Sequence, residues 1–178
     1  MCKKLLNLLK LQRNNRIPYA QASRMLACLF LAGLATSCEQ GCIYHHYQPT
    51  DSECWSNRDT LFFEIPITDT LNTYRIDLEM RNHSSYPFRE IFLMVESTYR
   101  NERGESRSAE LICYPLTDSS GKWLGTGWSN TLQSSHPLKY AHFTRSGTLR
   151  YKIYHTMNVP FLTGIQNVGM KVTRVSSR

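Results

Sequence analysis

"TYRIDLEMR", residues 73–81, is the stretch on which the fold turns. Tyr74, Ile76, Leu78 and Met80 alternate with Arg75, Asp77, Glu79 and Arg81. Successive side chains of a β-strand point to opposite faces, so period two places the apolar set on one face and the charged set on the other. One face of such a strand belongs in a core. The expectation for Asp77 and Glu79 is a solvated face with weak cross-strand pairs to the neighbouring arginines.

The same pattern extends in both directions. In "LFFEIPIT" (61–68) Leu61, Phe63, Ile65 and Ile67 share a face. Pro66 has no N–H to give a ladder, which suits an edge or a bulge. "REIFLMVEST" (89–98) is nearly continuous and apolar, as in a strand buried on both faces. "SRSAELICY" (106–114), "GTLRYKIYH" (147–155) and "NVGMKVTRV" (167–175) follow, and Leu149, Tyr151 and Ile153 face inward. Turn clusters such as "NHSSYPF", "NERGES" and "TDSSGKW" separate the strands. Strands at short spacing with turn signals predict an all-β fold, a single antiparallel β-sandwich of immunoglobulin-like or jelly-roll-like type. A short helix around 159–166 is also expected.

Upstream, the character changes. Residues 1–38 hold six cations and no Asp or Glu. Of 21 Lys and Arg, 15 therefore remain against 14 acids, so the net charge of +7 belongs mostly to the leader. The rest has no run of Lys or Arg, and nucleic acid is not expected as a partner. The uncharged run Met25–Ala35 is followed by "TSC". Eleven residues make a helix of about 17 Å, too short for a hydrocarbon core of about 30 Å. Such a run behind positive charges has the size of a secretory signal core. "LATSC" resembles the lipobox of bacterial lipoproteins, with Ala35 where Leu, Val or Ile is usual. The resemblance implies cleavage before Cys38 and a lipid on its sulfur, which would tie the chain to a membrane. The domain reading is then a lipoprotein signal over 1–37, a lipidated Cys38 with a flexible tether to residue 60, and a sandwich over 61–178.

Chemistry-bearing constellations are few. Cys42 and Cys54 can pair in an exported chain, leaving Cys113 as a buried thiol on its strand. Their spacing, with His45 and His46 between, is unlike the tight cysteine pairs of zinc sites, so no metal and no cofactor is expected. "GKWLGTGW" (121–128) lacks the order of a phosphate loop. Trp123, Leu124, Gly125, Gly127 and Trp128 instead form a candidate interaction loop, either a protein contact or a sugar platform. His155 continues the inner face of its strand and reads as a core histidine. No nucleophile–base arrangement emerges, and an enzyme is not expected.

Three segments carry a family resemblance: "LEMRNHSSYPFREIFLMVE" (78–96), "GKWLGTGW" (121–128) and "GTLRYKIYHTMNVPFLTGIQNVGMKV" (147–172). Together they resemble the GldH family of gliding motility lipoproteins from Bacteroidota. The matching residues are Arg81-Asn82, Tyr86-Pro87-Phe88, Gly121 with Trp123-Leu124-Gly125 and Gly127, His155 with Met157, Gly164-Ile165, and Val168-Gly169. The resemblance implies a non-enzymatic envelope lipoprotein that serves gliding motility or protein secretion through protein contacts. "EQGC" after Cys38 lacks the acidic run of a surface-export signal, which favours the outer membrane and its periplasmic side. The alternative is a lipid-anchored carbohydrate- or polymer-binding module.

Asp59-Thr60-Leu61 and Asp69-Thr70-Leu71 resemble the O-glycosylation pattern of this phylum, making Thr60 and Thr70 candidate acceptors. Intact mass should then exceed the polypeptide value and fall in a Thr60→Ala, Thr70→Ala variant. An unchanged mass in that variant rejects the assignment.

Overall fold

The computed structural model describes residues 41–51 and 54–175. The signal segment and Cys38 lie outside the described residues. The described residues form eleven strands: β1 (Cys42–Pro49), β2 (Trp55–Ser56), β3 (Leu61–Ile67), β4 (Thr73–His83), β5 (Glu90–Asn101), β6 (Gly104–Pro115), β7 (Thr126–Trp128), β8 (Thr131–His142), β9 (Gly147–His155), β10 (Phe161–Leu162) and β11 (Ile165–Val175). A five-stranded sheet runs β1-β11-β4-β8-β7 and a four-stranded sheet runs β3-β9-β5-β6. All strand pairings are antiparallel. The fold is an all-β sandwich.

The alternating residues build the interior. Tyr74, Ile76, Leu78 and Met80 of β4 are fully buried, opposite Phe63, Ile65, Ile67, Leu149, Tyr151 and Ile153 of the other sheet. Each such side chain contributes about 1.5–3 kcal/mol when removed from water. Tyr114 ties the layers together: its hydroxyl lies 3.4 Å from the Leu78 carbonyl and 3.0 Å from Ser134 Oγ. Pro66 sits on β3, an edge strand paired only with β9.

Four expectations need correction. The tether over 38–60 gives way at Cys42, where β1 begins and adds to the sheet beside β11. Its "IYHHY" run is aromatic and β-branched, which suits a pleated surface. Trp55 is then buried, so most of the described part of this segment belongs to the fold. The helix over 159–166 is absent; Phe161–Leu162 instead pairs with Trp55–Ser56. β5 alternates rather than burying both faces: Ile91, Leu93 and Val95 are buried while Phe92 and Met94 are half-covered. Asp77 and Glu79 face outward as expected, yet they are only 2% and 4% exposed. β4 lies in the middle of its sheet, and His45 and Tyr47 of β1 reach over its outer face to Glu79.

The cysteines also differ from expectation. Cys42 opens β1 opposite Thr173, whereas Cys54 follows the far end of that strand, its N–H bonded to the Asp51 carbonyl. Eight strand residues span about 23 Å, and a disulfide needs Cα atoms within about 7 Å, so the two stay free thiols. Cys113 is exposed rather than buried, with its thiol 3.2 Å from Glu90 Oε2.

His155 is a core histidine. Its Nε2–H donates to the Trp55 carbonyl at 3.0 Å, and the Trp55 ring packs edge-on against it. Nδ1 is buried without a partner. Protonation would place a charge there with no acceptor, and burial pushes the imidazole below its ordinary value of 6.5. The unfolded chain therefore binds more protons as pH falls through 6.5, and this stability is present above that pH and lost below it. The unfolding midpoint should drop between pH 7 and pH 5, and a folded His155→Gln variant should show a flatter profile over the same window.

Candidate functional site

The sandwich has two ends of different character. Gly41, the start of β1, the end of β11 and the turns 68–72, 102–103 and 143–146 lie at one end. At the other lie the β4–β5 turn, the β6–β7 connection, the β7–β8 hairpin and the β9–β11 loop. The ladders require this. Asn82 pairs with Leu132 and Ile165, Glu90 with Pro115, and Leu93 with His155. The ends are about 35 Å apart along the eleven residues of β4.

The separated motifs of the sequence meet at this second end. Asn82 is buried and donates to the His83 carbonyl at 2.9 Å, while the His83 N–H bonds the Gly164 carbonyl at 2.8 Å. Tyr86 is buried against Gly164 and its ring meets Phe88 edge-on. Met157 Sδ accepts from the Phe92 N–H at 3.3 Å. Phe88, Phe92, Met157 and Val159 line a small apolar recess of about 310 Å³ beside it.

The glycine and tryptophan loop divides into two parts. Trp123 is half-buried, packs against the core and bridges to Thr117. The Leu124 N–H bonds the Leu116 carbonyl at 2.9 Å, while its side chain stays 46% exposed. Trp128 stands at the hairpin tip, 91% exposed. A Cβ at Gly127 would fall 1.9 Å from the Thr131 carbonyl oxygen, so only glycine lets β7 fold back on β8 here. The tryptophans do not form one platform, because β7 follows a bridge that turns Trp123 inward. Beside Trp128 a groove of about 870 Å³ is lined by Arg81, Leu124, Thr126, Gln133 and His136 among others.

Arg81 joins this groove to a cluster that sequence reasoning missed. On the outer face of β4, Glu79 accepts from His45 Nε2 at 2.8 Å and from the Tyr47 hydroxyl. Burial and the Glu79 carboxylate push the Tyr47 phenol up. Arg81 lies 4.0 Å from the Tyr47 ring centroid, and its Nε donates to Gln133 at 2.9 Å. Gly169 stands opposite Glu79, and a Cβ there would meet the Tyr47 ring at 2.6 Å. The glycine of Val168-Gly169 thus leaves room for Tyr47 to reach the buried acid. The sequence signal for this cluster is the aromatic "IYHHY" stretch, which lies within the segment expected to be a tether.

The remaining candidates stay apart. His45 and His46 point to opposite sides of β1, His46 packing edge-on against Phe63, so they do not converge with Cys42 and Cys54. Thr60 precedes β3 at the motif end and Thr70 sits in the turn beside the Gly41 end, both half-exposed. Trp123→Ala should destabilise the fold by about 1–3 kcal/mol, whereas Trp128→Ala should stay within about 0.5 kcal/mol of wild type. Chemical denaturation of the two single variants separates them.

The comparisons agree with the motifs. The family model of the GldH lipoprotein matches residues 42–172. A gliding motility lipoprotein GldH homolog of Christiangramia forsetii is 25% identical over 154 residues, covering 82% of this chain and 92% of that protein. The gliding motility lipoprotein GldH of Flavobacterium johnsoniae is 24% identical over 152 residues, covering 81% and 92%. Among solved structures, the infectious bursal disease virus VP2 subviral particle aligns with 74% of this chain and 32% of its own. Its TM-score is 0.37 at 13% identity. With the family model spanning nearly all of the described sandwich, the chain belongs to the GldH lipoprotein family.

Proposed function

We propose that this chain is a non-catalytic, lipid-anchored component of a gliding motility or protein secretion machinery, docking through the motif end of its sandwich. The observation that carries this reading is the placement of exposed apolar side chains. Trp128, Phe161, Leu124 and Phe88 are 91%, 56%, 46% and 36% exposed and lie together at the end opposite Gly41, while Leu71 and Val175 are exposed apolar residues at the Gly41 end. Single exposed apolar side chains are ordinary, but apolar side chains grouped at one end mark an interaction site, and tryptophan is enriched at binding hot spots. The names of the two relatives support a role in gliding motility.

The anchor fits this geometry. Cys38 precedes Gly41 by three residues, a reach of at most about 11 Å. A lipid on Cys38 would hold the Gly41 end near the membrane and present the motif end outward. One acyl chain binds a bilayer only marginally, so firm anchoring requires the further acylation expected of such a cysteine. We place the chain on the periplasmic side of the outer membrane. A second reading, a carbohydrate- or polymer-binding module, is favoured by the open Trp128 ring beside the groove that carries Arg81 and Gln133.

Two experiments test the proposal. Intact mass and membrane fractionation should show wild type acylated at Cys38 and membrane-bound, with Cys38→Ala released or unprocessed. A host lacking the chain should lose spreading or adhesin secretion. Wild type should restore it, and a folded Trp128→Ala, Leu124→Ala variant should not. Full restoration by that variant overturns the docking surface. Binding of purified chain to a glycan array, lost in Trp128→Ala, would select the second reading.

A further inference from the structure

The two lateral sides of the sandwich are closed differently. Between β1 and β3 the Gln48 amide bonds both backbone groups of Phe62, acting as one rung of a ladder. On the opposite side no such rung is present among the described residues. β6 pairs only with β5, and β7 covers only Thr131–Gln133 of β8. Tyr114 of β6 meets Ser134 and His136 of β8 on this side, and toward the Gly41 end a cleft of about 340 Å³ opens between the two strands.

The lining of this cleft has one sign of charge. Lys139 and His142 border it with the hydroxyls of Ser97, Ser106 and Ser108; no Asp or Glu lines it, and the Arg107 side chain, on the face of β6 opposite the two serines, is paired with Glu105. The neighbouring acids are paired: Glu105 holds Arg100 and Arg107, and Glu102 holds Arg145. Lys139 has no carboxylate partner among the described residues; its ammonium lies 5.7 Å from the Tyr151 ring centroid. Tyr151 is 2% exposed, stands opposite Ser97 in the β5–β9 ladder, and its buried hydroxyl has no hydrogen-bond partner. Burial pushes the Tyr151 phenol up, and the Glu110 carboxylate, which does not line the cleft, adds to this.

We propose that this cleft binds a small oxyanion, a phosphate that is either free, carried by a soluble metabolite, or part of a lipid headgroup. Lys139 supplies the compensating charge. A lysine ammonium binds phosphate as a compact point charge, and hydrogen bonds to ionised oxygens are about twice as strong as neutral ones. The serine hydroxyls rotate to donate, so they complete the shell without adding charge. The site stands apart from the motif end, and its test does not depend on docking there.

The test is a titration of the full chain in detergent with inorganic phosphate and with glycerol 3-phosphate, against chloride at matched ionic strength. Saturable heat or amide shifts at β6 and β8 are expected. Lys139→Met should weaken binding about tenfold or more, and Lys139→Arg should restore it. Ser108→Ala serves as the second variant if Lys139→Met does not fold. Displacement of glycerol 3-phosphate by phosphatidylglycerol bicelles, but not by phosphatidylcholine bicelles, assigns the anion to a lipid headgroup; failure of both to displace it assigns a soluble phosphate. No saturable binding by wild type, or equal binding by wild type and the charge-removing variant, overturns the proposal.

Discussion

The pairing of β11 with β4 is the contact on which the five-stranded sheet depends. Ten residue pairs join strands that lie about ninety positions apart in the chain, from Val175 opposite Thr73 to Ile165 opposite Asn82. β1 has no neighbour in that sheet except β11. The first described strand therefore cannot dock until the last one is in place. Such long-range closure costs loop entropy before any contact repays it, which makes this an intrinsically slow topology.

Burial of Glu79 follows from the same arrangement. A carboxylate at the centre of a sheet loses water on both flanks, and a buried charge is tolerated only when hydrogen bonds replace that water. His45 and Tyr47 arrive from β1, across the glycine of β11, to provide them. Asp77 is treated likewise, with Arg75 Nε at 2.9 Å and Lys171 directly opposite on β11. The outer face thus locks β1 to β4 through the intervening strand, and Arg81 carries the network to the hairpin that bears Trp128. The fold that closes the sheet also builds the edge of the proposed docking surface.

The division of the molecule into two ends gives the family motifs a common physical meaning. Tyr86 against Gly164, Met157 under the Phe92 N–H, and Gly127 against the Thr131 carbonyl are close approaches that shape one set of loops. Most of the motif residues named above are therefore packing residues. The exposed apolar groups at this end are Leu124 and Phe88 of the motifs themselves, with Trp128 and Phe161 beside them. Of these, Phe161 carries no sequence signal, because its exposure follows from the two-residue pairing of β10 with β2.

The sequence by itself determined the strands with clear period two, their inner faces, the edge placement of Pro66 and the core role of His155. Alternation is local, so it survives without knowledge of neighbours. Strand order is not local. Only the tertiary structure decided that residues 42–49 form a strand, that Asp77 and Glu79 are covered, that Cys42 and Cys54 lie at opposite ends of a strand, and that Trp123 and Trp128 part company. Each of these depends on which strand lies beside which, and hydrogen-bonded ladders between distant segments leave no period in the chain.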